Sequence, residues 1–265
     1  MRYFDTHAHI FPDKVAAKVV ATLENYYHMK WSGDGSVGDL TASMERNHVE
    51  RAVILSCATK PEQVCAINDY LHSVQRSAPQ RFCAIGTLHP DYPKVLQELE
   101  RFPALGLRGV KLHPDFQHIY IDEPKMFPVY EAIENSGLPI LIHVGDERTD
   151  FSSPWRLARV LDRFPDLKVI AAHLGGYSDW DGAWKHLVGR NLWFDTSSAL
   201  WRLPVDEARR LAHAHGADKL LFGSDYPAVH HEQAIADVLA LEFSEAENEL
   251  IFYRNAEKLF GSEKE

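Results

Sequence analysis

Five side chains able to bind a metal or move protons stand at the ends of apolar segments. His7 and His9 are two residues apart in the run Asp-Thr-His-Ala-His, and His143, His173 and Asp225 each close a separate apolar run. Residues two apart on a strand face the same side, so both imidazoles of the pair can meet one ion. One such pair is weak evidence by itself. Five such residues on four segments predict a metal site.

These segments belong to a regular alternation of strands and helices. Short apolar runs predict eight strands, at residues 3–6, 52–56, 82–88, 107–112, 139–143, 167–172, 192–194 and 220–223. The connecting segments read as helices at 61–76, 92–102, 124–135, 154–164, 180–187, 204–215 and 232–241. This pattern is typical of a closed parallel (β/α)8 barrel, in which the carboxyl ends of the strands form one rim that carries the active site. The five candidate residues all fall at that rim.

Two features are added to the repeat. About forty residues, including the polar, Gly-rich stretch 31–36, separate the first two strands and predict an extra loop or helix over one end of the barrel. A last helix over 244–260 follows the eighth unit. Neither feature requires a second domain, so we expect residues 1–265 to form one α/β domain of the TIM-barrel type.

Composition limits the classes of partner. With 28 basic and 38 acidic residues and a net charge of −10, the chain has no basic stripe for nucleic acid. Its apolar runs fall short of the roughly 18 residues that span a membrane, and no basic and apolar leader opens the sequence. We therefore expect a cytoplasmic protein with a small-molecule substrate, and a homodimer stays open. The 3 cysteines lack CxxC spacing and support neither a disulfide framework nor a thiolate zinc site.

The same motifs resemble the amidohydrolase superfamily. They are the Asp-Thr-His-Ala-His run, the strand-end residues His143 and His173, and the Phe-Gly-Ser-Asp-Tyr-Pro run at 222–227. The most similar branch is the amidohydrolase 2 group, which includes aminocarboxymuconate-semialdehyde and resorcylate decarboxylases, and segment 253–261 resembles the closing helix of that group. The resemblance spans nearly the whole chain and is specific for the superfamily, but it does not specify the substrate.

The resemblance implies one divalent metal ion, with Zn²⁺ expected and Mn²⁺ or Fe²⁺ as alternatives. Its implied ligands are His7, His9, His143 and Asp225, with His173 close by for acid–base catalysis. Imidazole and carboxylate ligands suit these metals, and a catalytic site keeps one position open. In this interpretation the metal lowers the pKa of bound water, Asp225 accepts the proton, and His173 polarises the reacting carbonyl group.

Lys111 ends the fourth predicted strand, in the run Gly-Val-Lys-Leu-His-Pro. This stretch resembles the strand of dihydroorotases in which a carboxylated lysine bridges two metals, whereas TatD-type nucleases have a glutamate there. We predict a plain amine that binds a substrate carboxylate or pairs with an acid at the rim. A carbamate at Lys111 would instead indicate a binuclear site and favour hydrolysis.

Several other residues at the rim are candidates for lesser roles. His113, Trp155 and Tyr226 are candidate substrate contacts, and the aromatic residues of the rim loops favour a planar or apolar substrate. For Asp195 we favour a turn or helix-cap role over one in orienting a ligand. The histidines of the later helices and loops are expected to be solvated: His213, His215, His230 and His231.

Three functions follow from this set of residues. The leading prediction is a metal-dependent hydrolase acting on an amide, lactone or ester bond of a small carbonyl compound. The second is non-oxidative decarboxylation of an unsaturated or aromatic acid. The third is a barrel that binds metal but has lost catalysis. A hydrolase consumes water, a decarboxylase releases CO₂ without consuming water, and a binding protein does neither.

Overall fold

The computed structural model describes residues 1–261, and within them the strands are short, parallel and buried. They are β1 (Tyr3–His9), β2 (Val49–Leu55), β3 (Phe82–Ala84), β4 (Gly86–Thr87), β5 (Val110–Leu112), β6 (Ile140–Ile142), β7 (Val169–Ala171), β8 (Trp193–Asp195) and β9 (Leu220–Leu221). β1 to β3 form one sheet, and β4 to β9 form a second sheet in chain order. Each predicted strand is confirmed, and the third is divided at Ile85 into β3 and β4.

Backbone hydrogen bonds join the two sheets into a barrel. On one side, the N–H of Ile85 donates to the carbonyl of Ile54 at 3.1 Å. On the other side, the N–H of Asp225 donates to the carbonyl of His7 at 2.8 Å, and that of His9 donates to Tyr226 at 2.7 Å. The predicted parallel barrel is therefore confirmed, and its first and last strands meet where His7, His9 and Asp225 lie.

Helices follow the strands as predicted. Those between β2 and β9 are α3 (Val64–Ser77), α4 (Val95–Leu105), α5 (Pro114–Gln117), α6 (Phe127–Ser136), α7 (Pro154–Arg163), α8 (Trp180–His186) and α9 (Val205–His215), and α10 (His231–Leu239) follows β9. Proline occupies the first turn of α6 and α7, where its missing N–H costs no hydrogen bond. Within residues 1–261, each helix is too short or too polar to cross a membrane.

The segment between β1 and β2 folds as two helices, α1 (Asp13–Tyr27) and α2 (Val37–Arg46), joined by the Gly-rich stretch. The N–H of Gly33 donates to the carbonyl of Pro227 at 2.9 Å, which ties this stretch to the chain that follows β9. Gly35 has φ +78°, and a Cβ there would lie 2.8 Å from the Phe11 ring. The predicted insertion therefore covers the rim where the strands end.

The opposite end of the barrel is closed by the C-terminal segment. It comprises α11 (Glu245–Glu249), one π-helical turn (Leu250–Arg254) and α12 (Asn255–Phe260), as predicted for 244–260. Phe4, Tyr253 and Phe260 pack with apolar side chains from inside the barrel. Because this apolar cluster fills the lower barrel, the polar side chains inside it are confined to the upper rim.

Candidate metal centre and substrate cavity

Three of the predicted ligands converge at the rim. The Nε2 atoms of His7 and His9 lie 3.2 Å apart. Oδ1 of Asp225 lies 3.4 Å from Nε2 of His7 and 3.6 Å from Nε2 of His9. β1 supplies both imidazoles, and the chain that follows β9 supplies the carboxylate. Three ligand atoms of the types that Zn²⁺ and Mn²⁺ bind therefore face one point.

Asp195 fixes the orientation of His7. Its Oδ2 lies 2.8 Å from Nδ1 of His7, and both side chains are fully buried. A carboxylate only accepts hydrogen bonds, so Nδ1 of His7 carries the proton and Nε2 keeps the lone pair that a metal needs. Oδ1 of Asp195 also accepts from the N–H of Ser197 at 3.1 Å, so the predicted turn contact is present, and our preference missed the second role in orienting His7. Its position on β8 makes it the partner of a candidate metal ligand.

A second buried acid supports the same strand. Asp5 accepts from the N–H of His7 at 2.9 Å and from the Ser224 hydroxyl at 2.5 Å, and its Oδ2 lies 3.1 Å from Nε2 of His231. The Ser43 hydroxyl lies 2.8 Å from the other ring nitrogen of His231. These contacts link β1 to α2 and α10 beneath the candidate ligands.

Two of the histidines expected to be solvated are in fact buried. His231 belongs to the network around Asp5, and His215 stacks on Phe194 with ring centroids 3.8 Å apart. Both helices carry these residues on the side that faces the barrel, and periodicity alone did not distinguish that side for a polar residue.

His143 and His173 form a hydrogen-bonded pair beside the three converging ligands. Nδ1 of His173 lies 2.9 Å from the carbonyl oxygen of Ser197, which only accepts, so this nitrogen carries the proton. Nε2 of His173 then accepts from Nδ1–H of His143 at 3.0 Å. The lone pair of His143 is consequently on Nε2, which is buried and has no hydrogen-bond partner within residues 1–261.

The donor set fits a divalent metal ion. A buried nitrogen with an unshared lone pair is costly unless it meets a cation or a donor, and Nε2 of His143 is in that position. Burial keeps the pKa of His7, His9 and His143 well below its ordinary value, so these rings are neutral, as ligands must be. His143 is not within the tight group formed by the other three ligands, so its place as fourth ligand stays a prediction.

Burial also acts on the acid and the remaining base of the site. It raises the pKa of Asp225 to about 7, and the Ser198 hydroxyl, which donates to Oδ2 at 2.5 Å, opposes this shift. Burial lowers the pKa of His173 to about 4. A bound cation would favour ionised Asp225 because it stabilises the nearby negative charge. At neutral pH His173 is therefore an uncharged hydrogen-bonding group.

Lys111 projects from β5 into the same centre. Its side chain is 1% exposed, and its Nζ lies 3.1 Å from Nε2 of His7. Burial lowers the pKa of Lys111 to about 8, while the charges of Asp225 and Asp195 oppose that shift. The structure therefore places Lys111 where either a plain amine or a carbamate would meet the metal site. The choice of a plain amine stays a prediction.

A cavity of about 130 Å³ opens above these residues. Its floor is polar, and its walls are mostly aromatic and come largely from α1 and the loop after it. The wall residues include Leu23, Tyr27, Trp31, Phe116, Tyr177 and Trp201. Among the lining residues within 1–261, Lys111 is the one lysine or arginine. An apolar cavity of about 150 Å³ holds a benzene molecule, so this space is of the size for one ring.

The three candidate substrate contacts occupy different places in the structure. His113 lines the cavity and is 5% exposed. Trp155 is 38% exposed and lies outside the cavity, where its ring packs under the Arg156 guanidinium group. Tyr226 is fully buried, and its hydroxyl donates to Asp39 at 2.9 Å. Neither Trp155 nor Tyr226 is placed to contact a substrate here, because one packs outwards and the other bonds to α2.

Sequence reasoning missed part of the cavity wall. Tyr27 and Tyr177 line the cavity, although neither was a candidate. Tyr27 ends α1, and its aromatic neighbour Tyr26 packs edge-on against it at 4.9 Å. An aromatic pair at the end of an amphipathic helix was the available signal. It indicated a wall residue only once α1 was known to lie over the rim.

Comparison with curated proteins gives relatives of two activities. The chain is 27% identical over 241 residues to 2-amino-3-carboxymuconate-6-semialdehyde decarboxylase of Dictyostelium discoideum, which covers 74% of this chain and 65% of that protein. It is 29% identical over 158 residues to a dihydroorotase of Pseudomonas fluorescens, covering 53% of this chain and 45% of the relative. The chain thus spans less than two thirds of the length of either relative.

Solved structures show the same fold over nearly the whole chain. The 5-carboxyvanillate decarboxylase of Sphingomonas paucimobilis superposes with a TM-score of 0.76 at 19% identity, covering 98% of both chains. A dihydroxybenzoic acid decarboxylase of a Polaromonas species, solved with manganese and 2-nitroresorcinol, gives 0.74 at 19% identity, covering 97% of this chain and 96% of that chain. The sequence pattern of the amidohydrolase 2 family matches residues 4–262. This chain therefore belongs to the amidohydrolase 2 family of metal-dependent TIM-barrel enzymes.

Proposed function

We propose that this protein is a metal-dependent, non-oxidative decarboxylase of a small aromatic or unsaturated carboxylic acid. The observation that carries the proposal is a cavity of single-ring size with aromatic walls, in which Lys111 is the one lysine or arginine among the described lining residues. A planar acid fits such a cavity because the walls bury its ring and the lysine meets its carboxylate. The decarboxylases among the relatives support the same chemistry.

The reaction removes CO₂ and leaves a proton in its place. The bond between the carboxyl carbon and the ring or vinyl carbon breaks, its electron pair stays on that carbon, and a proton then adds there. A divalent cation, when bound, supplies a Lewis acid that polarises a substrate oxygen. Zn²⁺ is the ion we expect, although manganese in the Polaromonas enzyme structure makes Mn²⁺ a strong alternative.

The residues of this chain divide the remaining work. His7, His9, Asp225 and, by its free Nε2, His143 would hold the cation. Lys111 binds the carboxylate before cleavage, and the aromatic walls exclude water from the carbon that takes up the proton. Asp225 lines the cavity with one oxygen bonded to Ser198, and in this proposal it takes up a proton from solvent and passes it to that carbon.

His173 has a more restricted role in this proposal than its sequence context predicts. Its Nδ1 donates to the Ser197 carbonyl, and its Nε2 accepts from His143. Both ring nitrogens are engaged, so transferring a proton to a substrate would require the contact with His143 to break. We therefore propose that His173 orients His143 in the resting site.

Hydrolysis is the second candidate. Two observations favour it: the similarity to dihydroorotases, and the buried Lys111 Nζ 3.1 Å from Nε2 of His7. A carbamate on that nitrogen would add an anionic ligand and bring in a second ion, which is the two-metal arrangement used in hydrolysis. Two metals per chain, together with added mass on Lys111, would support this candidate over decarboxylation.

The test compares both chemistries on one preparation. Protein loaded with Zn²⁺ or Mn²⁺ is incubated with benzoic, hydroxybenzoic and unsaturated acids, and in parallel with lactones and amides. Headspace CO₂ and acid release are both recorded. The proposal predicts CO₂ from at least one acid and no acid release from the lactones. Acid release without CO₂ would transfer the assignment to hydrolysis.

A further inference from the structure

His113 carries a second buried nitrogen without a partner. Its Nδ1 has no hydrogen-bond partner within residues 1–261, although the side chain is 5% exposed and lines the substrate cavity. This nitrogen is not among the ligands of the proposed metal site. A buried polar atom of this kind would be stabilised by a polar group of a bound substrate, because leaving it unpaired destabilises the folded protein.

Tyr27 determines which nitrogen of His113 holds the proton. The Tyr27 hydroxyl lies 3.2 Å from Nε2 of His113. When the phenol donates its O–H to Nε2, the proton of His113 lies on Nδ1. A carboxylate oxygen of Asp115 lies within 4.8 Å of one ring nitrogen of His113.

His143, which stacks on His113, does not form a second metal site with it. One ring nitrogen each from His113 and His143 and one oxygen of Asp115 lie within 4.8 Å of one another. The two imidazole rings, however, are stacked 4.0 Å apart at an interplanar angle of 12°. Lone pairs of parallel rings run side by side and do not converge on one ion. Nδ1 of His113 also carries a proton in the tautomer set by Tyr27.

We propose that His113, held in one tautomer by Tyr27, is a specificity residue whose Nδ1–H donates to an acceptor oxygen on the ring or chain of the substrate. The inference rests on the proposed function and narrows its substrate class. The preferred acid carries a hydroxyl, methoxy or carbonyl oxygen besides its carboxylate, on the side that faces β5 and α1. An acid with a methyl group at that place would leave Nδ1–H unpaired.

Ligand binding tests this inference separately from catalysis. Dissociation constants are measured by calorimetry on metal-loaded protein for pairs of benzoates that differ in one substituent, hydroxyl against methyl, at the ring 2, 3 and 4 positions. For at least one ring position, wild type should bind the hydroxyl acid more tightly than the methyl acid by about 5- to 150-fold. This ratio corresponds to the usual cost of one unpaired buried donor. His113→Leu should reduce this ratio to about one.

Two further variants keep the test decisive if His113→Leu folds poorly. His113→Asn keeps an N–H donor near the position of Nδ1 and should retain most of the preference. Tyr27→Phe removes the group that fixes the tautomer and should lower the preference while metal content is unchanged. His89→Leu is the matched control, because His89 stands in the same Leu-His-Pro-Asp sequence, and its Nδ1 accepts from the Asp91 N–H at 3.2 Å.

Each outcome has one meaning. Equal affinity for hydroxyl and methyl acids in wild type, or a preference that survives in His113→Leu, overturns the inference. If wild type prefers hydroxyl acids but releases no CO₂ from any acid, the proposed function is overturned and the binding role of His113 stands. CO₂ release without any such preference overturns the inference about His113 and leaves the proposed function standing.

Discussion

Replacing Asp195 with asparagine changes the buried partner of His7 while preserving its size. Oδ1 of Asp195 accepts from the N–H of His173 at 2.9 Å and from that of Ser197 at 3.1 Å, while Oδ2 faces Nδ1 of His7 at 2.8 Å. An asparagine has one acceptor oxygen, and the two backbone donors hold it on their side. Its amide N–H groups then face Nδ1–H of His7, so the carboxylate acceptor is replaced by donors and the neutral Ser197 hydroxyl oxygen, 3.0 Å from Nδ1, remains as the weaker acceptor.

His7 can relieve this conflict by moving its proton to Nε2. That proton occupies the lone pair directed at Nε2 of His9 and Oδ1 of Asp225, where the metal ion is expected. Loss of such an orienting partner typically lowers metal affinity about 10- to 100-fold. This corresponds to about 1.4 to 2.8 kcal/mol. We expect Asp195→Asn to recover activity at high metal concentration, because the other ligands are unchanged.

Competition with a fluorescent chelator gives the metal dissociation constant of each variant. Glu98→Gln is the control: Glu98 is also a buried carboxylate, 3% exposed and bonded to Asn68 at 2.8 Å, but it lies on α4. We expect Glu98→Gln to lower the free energy of unfolding without changing metal affinity. A folded Asp195→Asn protein with metal affinity within about twofold of wild type would refute the reasoning about the His7 tautomer.

Three further changes test separate parts of the site. His143→Ala should reduce bound metal below that of wild type at equal metal concentration, measured by elemental analysis; full retention would remove His143 from the ligands. Lys111→Met should keep the metal and raise KM for the acid about 30-fold or more, since a buried carboxylate loses its partner; an unchanged KM would contradict its role. His231→Leu should lower the free energy of unfolding by about 3 kcal/mol in urea, because Asp5 loses a buried partner; a loss under about 1 kcal/mol would show that Ser224 suffices.

The sequence was sufficient for the barrel and for the convergence of the strand-end residues. Periodic apolar runs define the strands, and parallel strands in a closed barrel bring their carboxyl ends to one rim. His7, His9 and Asp225 meet for that reason, although 216 residues separate the last two along the chain (225 − 9 = 216). The pattern needed no knowledge of side-chain contacts.

The functions of Asp195 and the wall aromatics depended on facts that are not local. An aspartate at a strand end predicts the local turn contact that Asp195 makes with Ser197, but its hydrogen bond to His7 depends on the closure of the barrel. Trp155 and Tyr27 have similar local sequences of aromatic and charged residues, yet Trp155 packs outwards under Arg156 and Tyr27 packs inwards. The path of α1 over the rim determines this difference, and periodicity gives no information about that path.

The support for hydrolysis and for decarboxylation differs for a physical reason. Donor types alone suit both hydrolysis and decarboxylation, and the hydrolase was the leading prediction. The cationic side chain of Lys111 in an aromatic cavity, together with decarboxylases among the relatives, supports the second prediction better. Lys111 remains the residue whose chemical state distinguishes them.

The most direct test of the central proposal is a labelling measurement in deuterated, ¹⁸O-enriched water. Metal-loaded protein is given the acid that binds most tightly, and the products are analysed by mass spectrometry and gas release. Decarboxylation predicts one CO₂ released and one deuterium on the former carboxyl-bearing carbon per substrate consumed, with no ¹⁸O in the organic product. Turnover that places ¹⁸O in the organic product and releases no CO₂ would contradict it.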